Sequence, residues 1–405
     1  MNRNFIHYRS RRLCAFIIGL VFLFAGIFKL LDPVGAGLVV EEYYRFLGLG
    51  FMLPTAKVVA VSLALLEALL GAAMMSGVWR RIVAIATTVL IVFFTIITLF
   101  LAIFNPSMDC GCFGEVIHLS NMQTFLKNII LLVLAIAAFV PFRNLGEPKK
   151  RKHIAFLIAA VSIAGFTIYS LNSLPLVDYT SFKPGSELMS SSNEDDNDFT
   201  SAFIYERNGQ EGVFTLDKLP DSTWTFVRAE TIRINGPKTG GEPPVLTFTD
   251  TTGTYRDELA TSGNVLSISV HKPSAMRGDE WTRVASAIDG ASKAGFTPLL
   301  LVSGSKSRFG DLTSMIPETR EKLLPHLYFT DRKTLLAMNR SNGGGTWFND
   351  GELIRKFHSG DLPTEERFLE MTGDDPTEVM LHTSTKGRLR FQGFLLYTIA
   401  LLLLI

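Results

Sequence analysis

The most chemically pointed residues in the chain are two thiols separated by one glycine. They are Cys110 and Cys112, within Met108-Asp109-Cys110-Gly111-Cys112-Phe113-Gly114-Glu115. Glycine permits the bend that would bring the two sulfurs into bonding range. A ring so small is strained, and strained, exposed disulfides are the reducible, exchange-competent kind. Three readings stand side by side: a redox-active pair carrying out thiol–disulfide exchange, a structural disulfide pinning a loop, and a metal site completed by His118. The third has only three candidate ligands and no second cysteine pair, so no metal is expected. The remaining cysteine, Cys14, lies most of a bilayer away along the chain's path and reads as a thiol packed among apolar side chains.

The second feature with chemical content is Glu67, deep inside an apolar run. An ionisable group near the middle of a membrane costs roughly 2.5–3.5 kcal/mol or more, so Glu67 should face a bundle interior or a wet cavity. Its competing readings are a functional group and an interhelical hydrogen bond made while protonated. Lys29 and Lys127 lie nearer helix ends and read as snorkelling cations.

These residues must be held by the elements around them, and composition says what those are. The chain has 405 residues, 39 Lys and Arg against 38 Asp and Glu, and a formal charge of +1. That balance argues against a protein built to displace counterions from nucleic acid. Three cysteines exclude a disulfide-rich secreted scaffold. Hydrophobic residues make up 47% and mean hydropathy is +0.27. The average conceals a division between apolar runs up to residue 172 and an ordinary soluble composition beyond them. The runs at 13–31, 55–77, 81–104, 124–142 and 153–171 are each about the length needed to cross a hydrocarbon core. No small-residue cleavage site follows the first, which is therefore expected to stay as a helix. Residues 391–405 read as a short sixth crossing or an interfacial helix.

Basic residues set the orientation. Arg3, Arg9, Arg11 and Arg12 precede the first run, Arg80 and Arg81 follow the second, and Arg143 and Lys149 to Lys152 follow the fourth. The intervening connections hold almost none. The amino terminus is expected on the cytoplasmic side, with the cysteine pair and everything after the fifth helix outside. The connection 33–54 reads as an outer loop whose Tyr43, Tyr44, Phe46 and Phe51 form an aromatic belt or a lid over a hydrophobic ligand.

Several of these stretches resemble the DoxX and methylamine-utilisation MauE proteins. They are Phe22-Leu23-Phe24-Ala25-Gly26-Ile27-Phe28-Lys29-Leu30-Leu31-Asp32-Pro33, Glu67-Ala68-Leu69-Leu70-Gly71, and Cys110-Gly111-Cys112-Phe113-Gly114 followed by Lys127-Asn128. The resemblance covers about residues 10–145. It implies a four-helix membrane bundle similar in outline to quinone-linked thiol oxidases, serving disulfide formation or maturation of exported proteins. It further implies a quinone as cofactor, Glu67 and Lys29 as pocket residues, and an exported thiol protein as partner. The second cysteine pair that relays electrons in such oxidases is absent from this sequence.

Beyond a fifth transmembrane helix at 153–172, the acidic segment 173–198 reads as a flexible tether. In the domain at 199–385, residues 202–205 and 212–216 read as strands around Asn208-Gly209. Buried strands are expected at 265–270 and 297–302. Between them a helix at 279–294 carries Trp281, Val284, Ile288 and Ala291 on one side. A short helix at 332–339 and a hairpin across Asn349-Asp350-Gly351 complete the pattern. Led by Asp250-Thr251-Thr252-Gly253, it resembles the thioredoxin-like fold of the TlpA and peroxiredoxin group. The position of that family's thiols holds His271-Lys272-Pro273-Ser274-Ala275-Met276, and Gly345 stands where its cis-proline would be. A thiol-free domain reads as a docking or substrate-presenting module. Gly343-Gly344-Gly345 reads as a flexible lead into a strand, because a phosphate loop's Lys-Ser/Thr does not follow.

The expected whole is a membrane all-α four-helix bundle plus an extra transmembrane helix, then an α/β thioredoxin-like soluble domain. The expected role is a bacterial inner-membrane redox protein with its soluble domain in the periplasm, in contact with lipid and an exported client but not nucleic acid. The alternative is a non-enzymatic assembly or docking factor with a structural disulfide.

Overall fold

Among the described residues, six helices are long and apolar enough to cross a membrane: Ser10–Leu31, Gly50–Ser76, Arg80–Phe104, Asn121–Phe139, Arg151–Asn172 and Pro376–Leu404. This computed structural model describes residues 3–106, 111, 119–140, 150–188, 199–207, 210–215, 225–233, 244–304 and 317–404. Both cysteines of the Cys110/Cys112 pair, His118 and residues 189–198 of the expected tether lie outside the described residues. The expected tether at 173–198 is not a linker throughout, because Phe182 and Leu188 are buried in a core with Phe248 and Leu353, and the Gly185 and Leu188 amides donate to the Leu353 and Gly351 carbonyls. The chain divides into two units, Met1–Tyr179 with Leu381–Ile405, and Thr180–Met380.

The first unit is helical. α1 (Arg3–Leu31) packs along α3 (Ala56–Ser76), and small residues set how closely. A methyl group on Gly71 would stand 2.6 Å from the Gly19 carbonyl oxygen and 2.8 Å from Leu23 Cα. One on Gly26 would stand 2.5 Å from the Ala68 amide nitrogen. Helices in lipid gain little from hydrophobic association, so close backbone approach at small residues supplies the packing. α4 (Arg80–Phe104), α5 (Asn121–Phe139) and α6 (Lys150–Asn172) complete the set. Ser170 of α6 donates to the Leu30 carbonyl at the end of α1, a group that the helix itself leaves unpaired.

The connection 33–54 is not a loop. It forms α2 (Pro33–Phe46) followed by a 3-10 turn at Gly50–Thr55. Asp32 accepts from the Gly35 amide at 2.9 Å, and Pro33 begins the helix, an N-terminal signature that the aromatic content of the segment obscures. At the other end of the chain, residues 391–404 are the last part of one 29-residue helix, α11 (Pro376–Leu404). Its Phe394 ring lies against Phe166 of α6, tilted by 31° with centroids 5.2 Å apart.

The second unit holds two sheets. β1 (Phe199–Arg207) lies between β2 (Gln210–Thr215) and β3 (Thr225–Arg233), antiparallel to both. The expected strands around Asn208-Gly209 form this hairpin. β3 is not expected from the sequence. The larger sheet has the order β6-β5-β4-β7-β8. Its strands are β4 (Asn264–Val270), β5 (Thr297–Ser303), β6 (Leu327–Thr330), β7 (Gly344–Asn349) and β8 (Glu352–Phe357). β4, β5 and β6 are parallel, and β7 and β8 are antiparallel.

Both faces of that sheet are covered, which is why its parallel strands read as continuous apolar runs. Leu266, Ile268 and Val270 pack under Trp281, Val284 and Ile288 of α7 (Gly278–Lys293). Val265, Leu299, Leu301 and Phe348 pack on the other face with Leu335 and Met338 of α9 (Arg332–Met338). α8 (Pro317–Leu323) and α10 (Glu365–Gly373) flank the first face. Lys293 ties α7 to α10 by bonds of 2.9 Å to Asp289 and to Glu365, and its pKa is pushed up to about 12, chiefly by Glu365. The turn at Asp350 and Gly351 has positive φ at both residues, the geometry of a two-residue hairpin.

Two outcomes follow. Gly71→Val should separate α1 from α3 and lower stability by about 1–3 kcal/mol, read as a lower melting temperature of the detergent-solubilised chain. Asp250 accepts bonds from the Thr252 hydroxyl, the Thr252 and Thr254 amides and Arg256, and these hold its pKa well below the usual carboxylate range. A carboxyl depressed on folding stabilises above its unfolded pKa of about 3.9 and loses that contribution as pH falls. The second unit should therefore melt at lower temperature below about pH 4, and Asp250→Asn should reduce that dependence.

Candidate functional site

Within the helical unit lies a cavity of about 460 Å³ bounded by α1, α2, α3, α4 and α5. Most of its wall is apolar or aromatic, including Phe22, Tyr43, Phe93 and Phe94. Into it turn Lys29 of α1 and Glu67 of α3. The ammonium nitrogen lies 2.7 Å from Glu67 Oε2 and 2.8 Å from Oε1, so the carboxylate is gripped by both oxygens. Their side chains are 11% and 4% exposed. Lys29 Nζ also stands over the Phe94 ring, 5.7 Å from its centroid. The expectation that Glu67 faces the interior therefore holds, whereas Lys29 meets a carboxylate rather than reaching outward.

Two further polar groups face the same space. Asn128 of α5, 4% exposed, donates to the Thr98 hydroxyl of α4 at 3.1 Å. Thr98 in turn donates to the Phe94 carbonyl of its own helix. Lys127 also lines the cavity. Asn128 enters from the sequence only through the Lys127-Asn128 resemblance and without a role, and nothing in the sequence marks Thr98 or Phe94 for this site. A lone amide inside an apolar run was the available signal, because a buried amide in lipid must find a partner on another helix.

The residue between the two thiols reaches this wall. Gly111 lines the cavity and has a φ of 58°, a conformation that favours glycine. A methyl group there would stand 2.9 Å from Val39 Cβ on α2, so the backbone is seated directly on that helix. Cys14, by contrast, packs beside the separate apolar cluster that contains Ile18, Leu70 and Ala135. Among the described residues no group of three His, Cys, Asp or Glu side chains could hold a metal ion. The set formed by Cys110, Cys112 and His118 lies outside them.

In the second unit, the segment after β4 is braced rather than open. Asn342 accepts from the Lys272 amide at 3.0 Å and donates to its carbonyl at 2.9 Å. Ser303 donates to the His271 carbonyl. Gly344 leaves room for Asn339, whose buried amide donates to the carbonyls of Gly345 and Phe357 at 2.8 and 3.1 Å. The glycine run thus makes space for a buried amide at the start of β7.

Six helices of membrane-crossing length and composition, enclosing an apolar cavity with a buried ion pair, are those of a multi-pass membrane protein. Residues 9–141 match the family described as methylamine utilisation protein MauE, which supports a MauE-type membrane protein over this region. Residues 199–235 match a domain of unknown function (DUF8463). No curated protein and no solved structure is a significant match to the chain.

Breaking the ion pair from one side leaves a buried charge, and this typically costs about 3–5 kcal/mol. Lys29→Met and Glu67→Leu should each destabilise the chain by roughly that amount. The double variant should recover much of the loss, because an apolar replacement of a buried pair is often close to neutral. Thermal melts of the four proteins in one detergent give the coupling energy.

Proposed function

We propose that the chain is an inner-membrane redox protein in which Cys110 and Cys112 cycle between dithiol and disulfide, with a quinone in the helical cavity as electron acceptor. The observation that carries this reading is the seating of Gly111. The backbone between the two thiols forms part of the same wall as Lys29 and Glu67. The residues present fit a quinone: an apolar, aromatic-rich space of about 460 Å³ suits the ring, and buried hydrogen-bonding groups suit its oxygens. A bound quinone would accept the two electrons and two protons that the dithiol releases on forming its S–S bond. Lys29 would donate a hydrogen bond to a ring oxygen, and Glu67, already paired with it, would take up and pass on a proton. Asn128 of α5 would add a further hydrogen-bonding group for the ring.

The basic bias of the connections supports a cytoplasmic amino terminus and an outward-facing cysteine pair, where a disulfide can persist. An exported thiol protein would then exchange with the pair through a mixed disulfide. For the second unit we infer a thioredoxin-like fold in the extracytoplasmic space. The order β6-β5-β4-β7-β8, with three parallel strands and a terminal hairpin, supports that reading. The thiol-free segment after β4, tied down by Asn342, favours docking over exchange.

A second reading draws on the close seating of Gly111 against Val39. It makes Cys110–Cys112 a fixed brace and the protein a non-enzymatic assembly or docking factor. Trapping the thiol state in intact membranes separates the two. With the quinone pool blocked, the redox reading expects the pair to accumulate as dithiol. A pair that stays oxidised under the block, with full activity in the double Cys→Ser variant, would overturn it. Cys112→Ser should capture an exported thiol protein through Cys110.

A further inference from the structure

The cavity that holds Lys29 and Glu67 has a mouth, and the position of that mouth says where a ligand comes from. Three residues that line the cavity also reach the outside: Leu47 after α2 is 50% exposed, Val59 near the start of α3 37%, and Phe93 of α4 51%. A side chain that borders an interior space yet keeps so much surface exposed stands at an opening. α3 packs chiefly on α1 and α2, and α4 chiefly on α5, so direct contact between α3 and α4 is slight. Near their connection Thr87 donates to Met74 Sδ at 3.6 Å. At the far end of α4, Phe104 meets Phe46 of α2 edge-on with centroids 6.2 Å apart. Phe93 lies between these two contacts, which are roughly 25 Å apart along α4 at 1.5 Å per residue.

What the mouth faces follows from its helix. Phe93 is at the middle of α4, a helix of membrane-crossing length. It continues a face formed by Val89, Val92, Ile96 and Phe100, all apolar and all exposed. At that depth the surroundings of an exposed face are hydrocarbon. None of the three mouth residues is polar, whereas Lys29, Glu67 and Asn128 line the cavity and are largely shielded. The space is thus polar inside and apolar where it opens. That is complementary to a molecule with a hydrogen-bonding head and a long apolar tail, already dissolved in the bilayer. A water-borne molecule would have to cross hydrocarbon to reach the same mouth.

We propose that the ligand of this cavity enters sideways from the bilayer between α3 and α4, seats its head beside Lys29 and Glu67, and leaves its tail across Leu47, Val59 and Phe93. The identity of the head rests on the quinone reading; the route does not. The acceptor is then a tailed quinone of the membrane, and Val59 and Phe93 set what passes.

The test uses the full-length chain in nanodiscs of neutral phospholipid with two photoreactive ubiquinones, one bearing an azide on the ring and one at the end of a decyl tail. Labelled peptides are mapped by mass spectrometry. The ring azide should label segments that contain Lys29, Glu67 or Asn128. The tail azide should label those around Val59 and Phe93 in preference to the lipid-facing surface of α6, and unlabelled decylubiquinone should suppress this. Val59→Trp should lower labelling by about tenfold. Leu66→Trp, at an exposed α3 residue outside the cavity wall, should leave it unchanged. The map from the unaltered chain decides alone if Val59→Trp does not fold. Tail labels spread evenly over the lipid-facing helices, or specific labelling by neither probe, would overturn the route. Oxidation of Cys110 and Cys112 by tail-free ubiquinone as fast as by decylubiquinone, unchanged in Val59→Trp, sinks the route and leaves the redox reading standing. Tail labels at the mouth, with thiols that neither quinone oxidises, do the reverse.

Discussion

The helical unit is organised by one buried contact, the ion pair between Lys29 and Glu67. In an apolar medium neither charge tolerates isolation, so the two helices that carry them must stay in one register. The glycines make that register reachable. Gly26 and Gly71 let the backbones of α1 and α3 approach far closer than side chains would permit. The pair then lies at the edge of a hollow that neither helix fills. α2, α4 and α5 close around it, and Thr98 and Asn128 add polar groups from α4 and α5 to its lining. Charge, close packing and cavity are thus consequences of one another.

The second unit follows a different economy. Its two apolar clusters lie on opposite faces of the five-stranded sheet, and the polar groups enclosed there are mainly amides and hydroxyls. Asn339 joins β7 to the end of β8 through their carbonyls, and Asn342 ties the segment after β4 to the approach to β7. The segment that follows β4, the central strand of the sheet, thus spends its hydrogen bonds on rigidity.

Much of this was legible in the sequence because lipid imposes a length and a composition on any crossing helix. The five principal spans, the interior position of Glu67 and the strands at 265–270 and 297–302 follow from such local rules. What escaped depended on contacts between distant residues or on competing local signals. Lys29 near a helix end resembles any snorkelling cation until Glu67, 38 residues away, is seen to lie beside it. α2 was masked by its tyrosines, although Asp32-Pro33 is a good helix start. β6, four residues long, is too short to announce itself by alternation and exists because β5 offers it an edge. Residues 391–404 look short alone because the first half of α11 is polar, which hydropathy discounts and helical hydrogen bonding does not.

The return of α11 to the helical unit alters how the second unit is attached. Thr180–Met380 is not a pendant on a single stalk but an insertion, with covalent connections at both ends to helices of the other unit. One nick in either connection leaves it joined to the membrane, and only two cuts release it. A module leashed twice also searches a smaller volume than one leashed once.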